Sequence, residues 1–144
     1  MIEVPSSGDV AVLVTDLPGL TPEDVFAWLT EPGKLTQWWP ERAEIDLRVG
    51  GAYRLLWPKP EWTIQGEYTA VEAPRHVGFT WRGDPDTGHV TQADLYIDPI
   101  DEGARLSVWH RGFADSTERR GLCEGWIHFG MRLAGIAEPA DPIA

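Results

Sequence analysis

Ala43-Glu44-Ile45-Asp46-Leu47-Arg48-Val49-Gly50-Gly51-Ala52-Tyr53-Arg54-Leu55-Leu56-Trp57 is the stretch that decides the fold. Upstream of it the apolar residues recur at helical spacing, and within it the period falls to two. Ile45 and Leu47 alternate with Glu44, Asp46 and Arg48, while Tyr53, Leu55 and Trp57 alternate with Ala52 and Arg54. With Gly50-Gly51 as the turn, this predicts a β-hairpin. Downstream, Trp62 to Val71, His76 to Trp81, Thr91 to Ile97 and Arg105 to Trp109 read as four further strands. They are separated by Pro74, by the loop Arg82 to Gly88 and by Asp98-Pro99-Ile100-Asp101-Glu102-Gly103. The middle of the chain is therefore an antiparallel meander.

Working outward, Val10 to Thr15 is short, apolar and rich in β-branched residues, and predicts an opening strand. Thr21-Pro22-Glu23-Asp24 then carries a helix start: a hydroxyl cap, a proline at the first helical position and acids facing the positive end of the helix dipole. That helix runs to about Leu29, a second short one reaches Trp38, and Pro40 stops it. At the other end Asp115 or Ser116 caps a last helix. Its apolar face is Leu122, Trp126, Phe129, Leu133 and Ile136, with Pro139 just beyond.

An antiparallel sheet with one apolar face must cover that face, and only the terminal helix is long enough to do so. The fold class expected is α+β, a curved antiparallel sheet of about seven strands in the order β-α-α-β6-α, wrapped around a long C-terminal helix with a cavity between them. One domain is expected over residues 1–144, with its core at about 9–137 and a frayed tail at 138–144. The predicted inward set is Ile45, Leu47, Tyr53, Leu55, Trp57, Tyr68, Phe79, Trp81, Leu106 and Val108, facing Trp126, Phe129 and Leu133. Strand 90–98 can be read in either register, with Gln92 and Asp94 or with Ala93, Leu95 and Ile97 facing inward.

Composition narrows the function classes. Twelve Lys and Arg against 23 Asp and Glu give a formal charge of −11, which argues against nucleic acid or an anionic membrane as partner. No apolar run approaches the roughly 20 residues needed to span a bilayer. Cys123 is the only cysteine, so no intrachain disulfide is possible, and Met1-Ile2-Glu3-Val4-Pro5 lacks the basic and apolar segments of a signal peptide. A cytoplasmic location is the resulting expectation. Eight tryptophans in 144 residues point to an enclosed amphipathic ligand, since each ring buries roughly 150 to 250 Å² and carries one N–H that needs a partner.

The ordered residues resemble the START-like (SRPBCC, helix-grip) superfamily, and within it the family named after the activator of the 90-kilodalton heat-shock chaperone ATPase. The resemblance rests on Val25-Phe26, Trp38-Trp39, Asp46-Leu47-Arg48-Val49-Gly50-Gly51 leading into Tyr53, and Gly66 with Tyr68. It continues with Pro74-Arg75 before Val77-Gly78-Phe79-Thr80-Trp81, Gly103 with Arg105-Leu106, His110, Gly112-Phe113 and Gly125-Trp126. It implies a helix-grip fold. That fold serves lipid carriers, hormone and pollen ligand-binding proteins, polyketide cyclases, antibiotic self-resistance proteins and a chaperone regulator, so function must be argued from the site.

The expected function is binding of a hydrophobic or aromatic small molecule between sheet and terminal helix, in natural-product biosynthesis or self-resistance. Trp57, Trp81 and Trp126 would form stacking walls, with Tyr53, Leu55, Tyr68, Phe79, Leu106, Val108, Phe129 and Leu133 as lining and His110 as polar anchor. A chamber packed by the protein's own side chains would count heavily against this. One rival is a polyketide cyclase, aromatase or hydrolase, for which His110 is the catalytic candidate; the alternative for His110 is a core histidine with its hydrogen bonds satisfied. The other rival is a protein-interaction module using Trp109 and Trp38-Trp39 as exposed aromatics.

No metal site or cofactor is expected. The four histidines show no ligand spacing, and Cys123 and His128 project from different helix faces. Asp84-Pro85-Asp86-Thr87-Gly88 reads as a turn rather than a calcium loop. Gly125 reads as small-residue clearance that lets the last helix approach the sheet, with Gly130 and Gly135 extending that clearance into ligand space. Trp28, Trp38, Trp39 and Trp62 are expected to close the ends of the fold, with Trp109 facing out.

Overall fold

In the computed structural model, described for residues 1–6, 8–58, 62–83 and 89–139, the strands are β1 (Ile2–Val4), β2 (Val10–Pro18), β3 (Arg42–Ile45), β4 (Ala52–Trp57), β5 (Trp62–Glu72), β6 (His76–Trp81), β7 (Thr91–Ile100) and β8 (Gly103–Arg111). The helices are α1 (Pro22–Thr30), α2 (Pro32–Trp38) and α3 (Ser116–Ile136). The reading of residues 84–88 as a turn and of residues 140–144 as a frayed tail lies outside the described residues.

The strands form one antiparallel sheet in the order β1-β2-β8-β7-β6-β5-β4-β3. Its concave face grips α3, giving the expected helix-grip architecture. Eight strands replace the expected seven or so, because Ile2–Val4 pairs with Val12–Val14 at one edge. So short a strand, followed at once by Pro5, is hard to distinguish from a tail by pattern alone.

The helix starts follow their local chemistry. Thr21 accepts from the Asp24 amide at 3.1 Å and the Asp24 carboxylate accepts from the Thr21 amide at 2.9 Å, a reciprocal cap on α1. Asp115 caps α3 by accepting from the Glu118 amide at 2.8 Å.

Strand register settles the two-way reading of β7. Thr91, Ala93, Leu95 and Ile97 are buried, and Gln92 and Asp94 are on the outer face. Leu47, expected inward, is instead 39% exposed, because β3 ends at Ile45 and the chain turns. That connection spans Asp46 to Gly51, closed by the Gly51 amide donating to the Arg48 carbonyl, and it passes through Gly50 at φ +85°, a conformation that favours glycine. Ile136 is likewise exposed, being the last residue of α3.

Candidate functional site

The space between sheet and α3 is built from rings. Trp39, the C-cap of α2, leaves helical geometry (φ −121°, ψ −93°) and its side chain is buried, with ring centroids 5.2 Å from Trp38, 5.6 Å from Trp81 and 5.2 Å from Trp126. This corrects the sequence expectation that Trp39 closes an end of the fold. Its ring fills the middle of the anticipated chamber. Trp38 is also buried, its indole donating to the Trp28 carbonyl, while the Trp28 indole donates to the Glu138 carbonyl. Among the described residues, small voids remain between these rings. One, of about 40 Å³, is lined by Trp39, Trp62, Ile64, Trp81, Gly121, Leu122, Gly125, Trp126 and Phe129. A second, of about 10 Å³, lies among Leu35, Trp39, Ile45, Tyr53, Leu55, Tyr68 and Phe79.

The expected set therefore divides. Trp81, Trp126 and Phe129 line the first void, whereas Tyr53, Leu55, Tyr68 and Phe79 surround the second. Leu106, Val108 and Leu133 are packed core and line neither. Trp57 is half-buried and also lines neither; its indole donates to the Trp39 carbonyl at 3.2 Å and its ring lies against Trp62 and Phe129. A deep chamber holding a large ligand is not what these residues make, because the two indoles of Trp39 and Trp126 occupy it.

His110 is fully buried behind this layer. Its Nδ1 accepts from the Trp126 indole N–H at 3.0 Å, so its Nε2 carries the proton and donates to Thr91 Oγ1 at 2.6 Å; Thr91 in turn donates to the Trp81 carbonyl at 3.5 Å. Burial pushes its pKa down to about 3, so the ring is neutral at pH 7. Both ring nitrogens are engaged, and the arrangement is that of a satisfied core histidine locking a helix to two strands.

The buried phenols are held neutral as well. Tyr53 donates to the Thr80 carbonyl at 2.6 Å and is pushed well above its ordinary pKa by burial, with Tyr68 adding to the effect; burial also raises Tyr68. The Cys123 thiol is raised by burial first and by Glu3 second, which disfavours the reactive thiolate. Among the described residues, no group of three or more His, Cys, Asp or Glu is placed to hold a metal ion. No helix among them is long and apolar enough to cross a membrane.

The most open part of the site is made by Gly121, which pattern reading missed, and by Gly125, which it took as clearance for close packing on the sheet. Gly121 and Gly125 are one turn apart on α3 and line the first void, and a Cβ added at either would meet nothing within 4 Å. Gly125 is thus not there to let the helix approach the sheet. The close approach is at Gly130, where an added Cβ would stand 2.9 Å from Cβ of Met1. The i, i+4 spacing of Gly121 and Gly125 was a signal available in the sequence. Outside the void lies a wider mouth of about 190 Å³ lined by Trp62, Trp81, Gly83, His89, Thr91, Glu118 and Leu122. Trp62 is 47% exposed and its indole donates to the Gly83 carbonyl at 3.0 Å.

The outer face of the sheet carries a separate groove of about 620 Å³, lined by Glu72, Ala73, Arg75, His76, Tyr96, Asp98, Ser107 and Trp109. His76 stacks on Tyr96 at 4.4 Å and bridges the Glu72 and Asp94 carboxylates at 2.9 and 2.7 Å. Trp109 faces out and is 45% exposed.

Comparison with known proteins places this geometry. Residues 20–138 match the model of the family described as Activator of Hsp90 ATPase homolog 1-like protein. No curated protein matches the chain. Among solved structures, the AHSA1 protein of Silicibacter pomeroyi is 28% identical with a TM-score of 0.72, over 88% of this chain and 95% of that one. An HSP90 activator from Plasmodium falciparum is 20% identical with a TM-score of 0.74, over 90% and 96%. DynU16, from the dynemicin biosynthetic locus, is 21% identical with a TM-score of 0.80, over 90% of this chain and 47% of that one. With the family model covering most of its length, and the helix-grip fold in place, the chain belongs to the Activator of Hsp90 ATPase homolog 1-like protein family.

Proposed function

We propose that the protein binds a flat aromatic small molecule, without converting it, in the slot between α3 and the tryptophans of the sheet together with the mouth of about 190 Å³ outside it. The observation that carries this is the pair Gly121 and Gly125. A glycine inside a helix costs about 1 kcal/mol relative to alanine. Here neither is required by close packing, since an alanine methyl would meet nothing within 4 Å. Stability would favour larger residues at both positions, and their absence leaves a floor of bare backbone beneath Trp62, Trp81 and Phe129. The ligand is smaller than a deep chamber would take, because Trp39 fills the interior. DynU16 comes from a biosynthetic locus, in keeping with a natural-product ligand, although likeness at 21% identity carries the fold alone. Non-enzymatic binding is favoured over a cyclase or hydrolase because both nitrogens of His110, the catalytic candidate, are committed to Trp126 and Thr91.

The test is tryptophan fluorescence with a panel of bicyclic and tricyclic aromatics, comparing the protein with Gly125→Leu. Saturable quenching lost in the variant supports the slot, and quenching that the variant leaves intact contradicts it.

A second reading, a protein-interaction module, is favoured by the outer-face groove with Tyr96 and Trp109. It gains nothing from Trp38 and Trp39, which are buried.

A further inference from the structure

The ring that closes the slot and the ring behind it share one corner. Trp62, Trp81 and Leu122 line both the inner void and the outer mouth, and so form the partition between them. Trp62 is the exposed member, held by one hydrogen bond to Gly83 and by a tilted contact with the Trp57 ring, centroids 5.4 Å apart. Trp81 is the buried member, its ring only 7% exposed, but its indole N–H, which has no acceptor among the described residues, keeps access to solvent. That N–H lies on the mouth side, since a Cβ built on Gly83 would stand 3.4 Å from Trp81 Nε1 and 4.0 Å from Trp62 Cζ2. A methyl at 83 would rest in ordinary contact with the donor, and among the described residues glycine leaves that side of it uncovered.

An indole N–H is a donor only, and one that opens onto the mouth favours a ligand whose acceptor can take the place of water there. The Glu118 carboxylate lines the same mouth, paired with His89 at 3.1 Å, and the chain carries a formal charge of −11. Both disfavour an anionic acceptor. We propose that the mouth is a recognition site for an uncharged aryl carbonyl: the ring enters beside Trp62 over the Gly121–Gly125 floor and the carbonyl oxygen accepts from Trp81 Nε1–H. This rests on the aromatic-ligand reading above and adds to it the oxygen, its position and its neutrality.

Three probes of nearly equal size separate the two ideas by calorimetry: 2-acetylnaphthalene, 2-ethylnaphthalene and 2-naphthoate. One neutral hydrogen bond is worth about three- to tenfold in affinity. The ketone is expected to bind the protein by that factor more tightly than the hydrocarbon, with 2-naphthoate weaker than the ketone. Trp81→Phe keeps a ring but removes the donor, and is expected to bring the ketone-to-hydrocarbon affinity ratio to about one, whatever it does to the affinity for both. Should that variant fail to fold, the indole N–H resonance of Trp81 in the unaltered protein reads the same bond, moving downfield with the ketone and not with the hydrocarbon. Equal affinity for ketone and hydrocarbon, or preference for 2-naphthoate, overturns this inference and leaves the slot in place. Failure of all three probes to bind overturns both.

Discussion

The indole N–H of Trp126 donates to Nδ1 of His110 across 3.0 Å, and this one bond fixes the tautomer of a fully buried imidazole. Helix α3 is thereby joined to β8, and through Thr91 to β7. A layer of tryptophan rings thus has a polar seam behind it in which every ring nitrogen of His110 is satisfied.

That seam makes stability depend on acid. The folded protein keeps His110 neutral down to about pH 3, whereas the unfolded chain takes up a proton near 6.5. Between those values the unfolded state binds the extra proton, so stability is fully present above 6.5 and falls by about 1.4 kcal/mol per pH unit as the pH drops. His110→Gln retains an acceptor for Trp126 and a donor for Thr91 without titrating. Urea unfolding at about pH 7 and about pH 4.5 should show a loss larger in the unaltered protein by about 2 to 3 kcal/mol. Equal losses would assign the acid sensitivity elsewhere.

Gly125→Ala should separate stability from binding. The methyl enters open space, so the helix gains about 1 kcal/mol while the floor of the slot rises and affinity for a bicyclic aromatic falls. Denaturant midpoints and a fluorescence titration on the same sample decide the matter. A variant both more stable and equally competent would show that Gly125 has no part in a site.

Trp39 is a core residue in the middle of the ring layer, and Trp39→Ala should cost about 3 to 5 kcal/mol by removing contacts with Trp38, Trp81 and Trp126. Chemical unfolding measures it. A loss under about 1 kcal/mol would mean that the ring is a mobile plug instead of a packed wall.

The N-terminal edge strand is fastened to α3 at two points. Arg119 pairs with Glu3 at 3.0 Å, and Met1 sits in the notch left by Gly130. Gly130→Ala would displace Met1 and should speed hydrogen exchange at Ile2–Val4 while leaving α3 protected. Unchanged exchange in β1 would show that the strand pairing alone holds it.

Much of this fold could be read from pattern. Ile45, Tyr53 and Leu55 were legible as inward because alternation between glycine turns allows few registers, and α1 and α3 announced their caps. Leu47 was not, since a strand's end is set by where its partner stops, and β4 pairs only as far as Ala43-Glu44-Ile45 against Tyr53-Arg54-Leu55 before the chain turns. Trp39 was the costliest miss. Adjacent tryptophans at a helix end cannot both follow the helical face, and the backbone of the C-cap, invisible in the sequence, turns the second one into the core. The site followed the same logic: Trp81, Trp126 and Phe129 came from periodicity, while the floor came from two glycines that no apolar pattern marks.

The central claim is that an aromatic ligand occupies the slot between α3 and the sheet. Amide and indole NMR spectra recorded through a titration with 2-acetylnaphthalene test it most directly. The account predicts saturable shifts at the Gly121 and Gly125 amides and the Trp62 and Trp81 indoles, with Tyr96 and Trp109 on the outer face unmoved. Shifts confined to Tyr96, Trp109 and their neighbours, or none that saturate, would contradict it.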